Sequence, residues 1–359
     1  MIILRVVFFA VGVVIVGGTL FSAVQTLVLP RSAPDLLTRI VFVWVRRLFE
    51  LRLRGPRSYQ ERDRVLAFFA PFALLALLVT WLVLVLVGYT GMFWGLGVET
   101  WYEAFRVSGS SLLTLGFAVV DDLPKTILEF SEAIIGLILI ALLIAYLPTM
   151  YAAFSRREAA VTLLEVRADS PPSAVEMILR FHRIHGLDRL SEQWRVWEAW
   201  FADIEESHTS LPALVFFRSP RSDLSWVTAA GAVLDAASLT LSSVQDAGDP
   251  SAALCIRAGY LALRRIADFF SIPYNPDPRP DDPISVSREE FNAACQRLES
   301  AGVPLKADRD QAWRDFVGWR VNYDRVLLDL AGLTLAPSAP WSGDRAPEFH
   351  LPPVMRWGK

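Results

Sequence analysis

Three uncharged apolar stretches constrain this chain more than any other feature. Residues 6–29 run for 24 positions without a charge, residues 65–87 are equally bare, and residues 127–146 carry acids only near their start, at Glu129 and Glu132. A helix crosses about 30 Å of hydrocarbon with roughly 20 apolar residues, so each stretch predicts a membrane span. For the first, a cleaved leader is the competing reading. The run is too long for one, and Phe21-Ser22-Ala23 offers no small-x-small cleavage pattern. The 53% hydrophobic and 20% charged composition fits the membrane class.

Loop charges orient the spans. Residues 31–64 carry nine arginines (31, 39, 46, 47, 52, 54, 57, 62 and 64) against four acids, which predicts a cytoplasmic loop. Residues 88–126 carry Glu99, Glu103, Asp121 and Asp122 against Arg106 and Lys125, which places that connection outside. Arg156-Arg157 then meets the inner end of the third span. The N-terminus is expected outside, and the C-terminal region in the cytoplasm of a multi-pass cell-membrane protein. Within the basic loop, Leu36, Leu37, Ile40, Val41, Trp44 and Leu48 recur at helical spacing, with Arg39, Arg46, Glu50 and Arg54 near the opposite face. This predicts an amphipathic helix lying on the inner membrane surface. Anionic headgroups near Arg39, Arg46 and Arg47 are its expected partners, at about 1 kcal/mol per nearby arginine.

The outer connection carries the functional signal. Residues 99–113 (ETWYEAFRVSGSSLL) are amphipathic and too short and polar to span, with glycines 88, 91, 95 and 97 before them and Thr114-Leu115-Gly116-Phe117-Ala118 after. The pattern predicts a re-entrant helix, because irregular backbone at membrane depth is tolerated only where protein buries it or a water-filled path runs beside it. Its C-terminal dipole end would favour a cation. In the third stretch, Gly136 is read as a hinge or as a close-packing point, and Pro148 as a bend near an inner gate or as the end of the span.

Span, re-entrant helix, T-x-G-[YF]-x and a glycine-containing inner span together resemble the potassium-channel superfamily. Thr114-Leu115-Gly116-Phe117 is most similar to the filters of two-pore-domain potassium channels, and the resemblance covers about residues 65–150. It implies that main-chain oxygens of Thr114, Leu115, Gly116, Phe117 and Ala118, with the Thr114 hydroxyl, replace the hydration shell of a permeant K⁺ or other monovalent cation. It further implies that Trp101, Tyr102 and Phe105 pack the pore helix, and that Glu99, Glu103, Asp121 and Asp122 ring an outer vestibule. One pore loop per chain implies a homotetramer. The chain departs from the family where Ala118 replaces the closing glycine, where Leu113 replaces a threonine, and where Val119-Val120 replaces the acid that usually follows. A left-handed Ala118 would cost about 1 kcal/mol in each subunit.

Residues 155–359 read as helices separated by proline-rich breaks, with neither GxGxxG nor a Walker pattern. Ser287-Arg288-Glu289-Glu290 is a capping box opening a helix to Ala301, and Asp308 starts another predicted to end at Gly332. Residues 273–283 are a linker, and the tail after Ala336 is irregular. Asp235 on one side, and Arg257, Arg264 and Arg265 on the other, mark residues 227–244 and 252–270 as amphipathic soluble helices. Trp194, Trp197, Trp200 and Phe201 form a core stripe, while His182, His185 and Asp188 are too few for a metal site. Cys255 and Cys295 have no metal or disulfide spacing. Residues 155–359 hold 23 basic against 28 acidic side chains, so nucleic acid is a poor partner. No catalytic constellation is visible, so an enzyme is not expected.

The expected fold is all-α: an N-terminal transmembrane helix (1–30), a basic amphipathic linker (31–64), a pore domain (65–154) and a helical cytoplasmic domain (155–359) with an unidentified ligand or partner. No cofactor or metal beyond permeant ions is expected. A non-conducting membrane scaffold or sensor with a degenerate pore loop is the rival reading.

Overall fold

The computed structural model describes residues 1–29, 35–53, 58–245 and 250–347. Arg31, Arg54 and Arg57 of the basic loop and the last residues of the tail lie outside them. About 75% of the chain is helical, no strand forms among the described residues, and three helices are long and apolar enough to cross a membrane. The chain divides into two compact units, one of residues 1–54 and 68–152, the other of residues 55–67 and 153–359.

In the first unit, α1 (Ile2–Leu27) packs on α4 (Phe69–Gly95) through glycines. A Cβ added to Gly12 would lie 2.3 Å from the Gly88 carbonyl oxygen, and one added to Gly95 would lie 2.8 Å from that of Arg5. Glycines 88, 91 and 95 therefore belong to a helix that small residues let approach closely, and not to a connection. That corrects the second stretch, which extends to Gly95. Its expected start also moves, because Val65 and Leu66 close a separate helix, α3 (Tyr59–Leu66).

The helix α2 (Leu36–Arg52) starts at Asp35, whose carboxylate accepts the Thr38 amide and the Ser22 hydroxyl; Ser22 in turn accepts the Trp81 indole N–H. Farther along, Phe42 and Phe49 meet Phe69 edge-on. Two anchors some 14 residues apart on α2 thus fall 12 apart on α4 in reverse order, so α2 runs antiparallel along the start of α4. Val41, Val43 and Val45 are buried while Leu36, Ile40, Trp44 and Leu48 are exposed. Arg46, predicted to meet headgroups, is buried, paired with Glu50 and set over the Phe69 ring. Arg39 is half-buried, and Arg47 is exposed beside Trp44.

The linker also divides, because α3 belongs to the second unit. Its Ser58–Glu61 capping box is complete, and Arg218 clamps it: the guanidinium pairs with Asp63, donates to Tyr59 Oη (2.8 Å), and donates to the carbonyls of Thr334 (2.7 Å) and Leu335 (2.8 Å). The last long helix of the first unit, α6 (Leu123–Ala168), continues into the second. Pro148 lies inside it, and the helix continues past the proline with the Ile144 carbonyl deprived of its usual donor.

The second unit is built around α9 (Trp226–Ser243), which is buried nearly all round rather than amphipathic as expected. Small residues allow this: a Cβ on Gly259 of α10 (Pro250–Phe269) would meet Leu234 at 2.5 Å and Phe201 of α8 (Leu190–Ser210) at 3.0 Å. Trp194, Trp197, Trp200 and Phe201 are all buried in that core. Inside it Asp235 Oδ1 meets Arg320 and Tyr323 Oη (2.8 Å), and Arg320 Nε also donates to Asp324 (2.7 Å). The helix opened by Asp308 stops at Arg320 (α12, Arg309–Arg320) and a new one follows (α13, Asp324–Thr334), in place of the single helix predicted to Gly332, and the network sits at that break. The capping box of α11 (Arg288–Ser300) is present as predicted. The remaining helix, α7 (Ala174–Arg183), packs on α9.

Candidate functional site

The serine-rich stretch forms α5 (Trp101–Leu112), capped by Thr100, whose hydroxyl accepts the Glu103 amide. Its buried face is Ala104, Val107, Ser108, Ser110 and Leu112. Trp101 stacks on Trp94 at 4.8 Å between centroids, while Tyr102 and Phe105 are exposed on the outer face.

A ladder fixes α5 to α6. Ser108 Oγ lies 2.5 Å from Glu132 Oε1, Ser111 donates to the Glu129 carbonyl, and Gly136 lies against the Leu112 carbonyl, where a Cβ would sit 2.5 Å from the oxygen. Gly136 is thus a close-approach point, and no hinge is needed to account for it. The Glu132 carboxyl meets α5 at Ser108, and neither Glu129 nor Glu132 pairs with Lys125 or Arg106 among the described residues. Ser108 did not stand out in the sequence as functional. The available signal was a run of serines, poor helix formers, with Ser108 and Ser111 three residues apart and two glutamates equally spaced in an apolar span.

The helix ends in a Schellman motif. Thr114 N–H donates to Ser111 O (3.0 Å) and Leu115 N–H to Ser110 O (2.8 Å), which places Thr114 in the left-handed position with φ 55°. Gly116 follows at φ 71°. The loop then folds back over the helix end, where Ser110 Oγ accepts the amides of Phe117 (3.0 Å) and Ala118 (3.1 Å). The left-handed residues are therefore Thr114 and Gly116, and Ala118 is not among them. The strain expected at Ala118 is absent because Ser110 closes the loop two residues after its second left-handed turn. Residues 114–117 are exposed in the single chain and Ala118 is half-buried.

Beside the loop opens a cavity of about 590 Å³ that brings together Glu99, Glu103, Asp121, Asp122, Arg106 and Lys125. The four predicted acids do gather, but with two cations among them. Asp122 caps α6 by accepting the Lys125 amide (3.0 Å) and pairs with its ammonium (2.6 Å). These bonds hold its carboxyl below the usual carboxylate range. Arg106 lies over the rings of Tyr102 (5.8 Å) and Phe117 (5.5 Å). No group of three or more metal-ligating side chains occurs among the described residues.

No protein-family model matches the chain, and neither do curated proteins or solved structures.

Proposed function

We propose that the chain forms a homotetrameric cation channel in the cell membrane, with the loop at residues 114–118 lining a shared axis and the second unit in the cytoplasm. The carrying observation is the loop itself. A helix too polar to span stands between two apolar helices, and two left-handed residues turn its C-terminal end into an exposed loop tied back by Ser110. The α5 dipole supports a cation at that end. Exposed apolar loop residues such as Leu115 and Phe117 also suit burial against other subunits.

Reconstitution in planar bilayers with potassium on one side and sodium on the other tests the reading. Unitary currents reversing at a cation potential support it, and Gly116→Ala abolishes them, because alanine at φ 71° strains the loop by about 1–2 kcal/mol per subunit. The rival is a non-conducting scaffold. One observation favours it: Arg106 places a positive charge over Phe117 at the loop, where a cation would have to pass. Silence from folded tetramers decides for the scaffold.

A further inference from the structure

Glu132 is enclosed where a membrane protein can least afford a charge. Its exposure is 0%, its Oε1 has Ser108 Oγ as neighbour, and its Oε2 has no hydrogen-bond partner. An ionised carboxylate has about four acceptor sites to fill, and burying it without a cation costs several kcal/mol.

No cation faces it. From α4 the titratable group nearby is Tyr89, whose hydroxyl is bonded to Ser131 (2.8 Å). From α5 comes the Ser108 hydroxyl, and from its own helix a second acid, Glu129. The basic residues of the outer connection are engaged elsewhere, Lys125 with Asp122 and Arg106 over two rings.

Hydrogen-bond accounting agrees. The single Ser108 proton has two acceptors in reach, the Leu86 carbonyl at 3.1 Å and Glu132 Oε1 at 2.5 Å. Both contacts are satisfied when Glu132 donates to Ser108 Oγ and Ser108 donates to Leu86 O.

We infer that Glu132 is a proton-binding site: a neutral carboxylic acid whose proton fastens α5 to α6 through Ser108, and through Ser108 to α4. The proton is held, not transferred, so no bond is made or broken beyond this hydrogen-bonded chain. A neutral Glu132 adds no charge of its own beside the C-terminal dipole end of α5. The inference stands whether or not the first unit conducts.

Infrared spectroscopy of the full chain in lipid at neutral pH tests it. The wild type should show the carbonyl stretch of a protonated carboxylic acid, which Glu132→Gln removes and Glu129→Gln retains. Because a glutamine amide can donate to Ser108 in the same way, Glu132→Gln should keep the unfolding equilibrium within about threefold of wild type. Ser108→Ala should shift the band by removing its acceptor. A spectrum in which Glu132→Gln removes only carboxylate intensity overturns the inference, as does a folded Glu132→Gln destabilised more than tenfold. If Glu132→Gln does not fold, Ser108→Ala decides: a shifted acid band supports the inference, and an unmoved or absent band sinks it. Silent bilayers with an intact Glu132 band would remove the channel and leave the proton in place.

Discussion

Replacing Gly136 by alanine separates two accounts of the glycine by sign as well as size. If it serves flexibility in α6, alanine should stabilise the helix by up to about 1 kcal/mol, the usual difference in helix propensity. The geometry gives the opposite sign. The new Cβ would lie 2.5 Å from the Leu112 carbonyl oxygen and 3.0 Å from Leu112 Cδ1, and backbone cannot rotate out of the way as a side chain can. Restoring ordinary contact requires α5 to retreat by roughly 0.9 Å, which stretches the neighbouring 2.5 Å contact between Ser108 and Glu132 toward the limit of a hydrogen bond. Overpacking of this kind costs about 1–3 kcal/mol and a weakened buried hydrogen bond about 1 kcal/mol more. Set against the propensity gain, the expected net loss is about 1–3 kcal/mol. Equilibrium unfolding of the detergent-solubilised chain measures it, with Gly17→Ala as control. A Cβ at Gly17 meets nothing within 4 Å, so that variant should be neutral or slightly stabilised. Equal or raised stability of Gly136→Ala would refute the close-approach argument.

Thr114→Gly should stabilise the chain by about 1 kcal/mol in the same assay, because glycine takes φ 55° without a Cβ clash; a loss would mean that the threonine side chain contributes something the geometry does not reveal. Arg218→Ala should destabilise the second unit by about 2–4 kcal/mol, since it strands Asp63 and removes donors from Tyr59, Thr334 and Leu335. Arg218→Lys should restore less than half of that, because a single ammonium cannot reach all four acceptors. His208 is fully buried beside Arg157. Burial and then the Arg157 charge hold its pKa well below the ordinary value. Arg157 donates to Nε2, so the ring proton sits on Nδ1, beside Ser207 Oγ. With the folded pKa depressed, the unfolded chain takes up a proton first as pH falls below about 6.5, and stability should drop by up to about 1.4 kcal/mol per pH unit. Stability should be flat in this respect above that pH, and His208→Gln should flatten the acid limb; an unchanged acid limb would place the titration elsewhere.

What sequence could establish here rests on covalent and local facts. Uncharged runs of a given length predict helices that can cross hydrocarbon, because backbone polar groups there must bond internally, whatever packs alongside. The Ser287–Glu290 capping box and the Asp308 start were readable because both caps bond only within one turn. The amphipathic stretch before Thr114 was readable as a short helix for the same reason. The loop conformation was not, since nothing local says that Ser110 will accept two amides from residues seven and eight positions on.

Tertiary structure decided every question that depended on what stands opposite a residue. Gly88, Gly91 and Gly95 look like loop punctuation until α1 lies against them. Arg46 looks like a surface charge until Glu50 and Phe69 enclose it, and Asp235 looks solvated until Arg320 reaches it from 85 residues away. Burial and pairing are properties of two elements at once, and sequence spacing describes only one. For that reason the chain's membrane character is written in its composition, while the buried carboxyl of Glu132, the most unusual group in the first unit, becomes visible only once α5 folds back against α6.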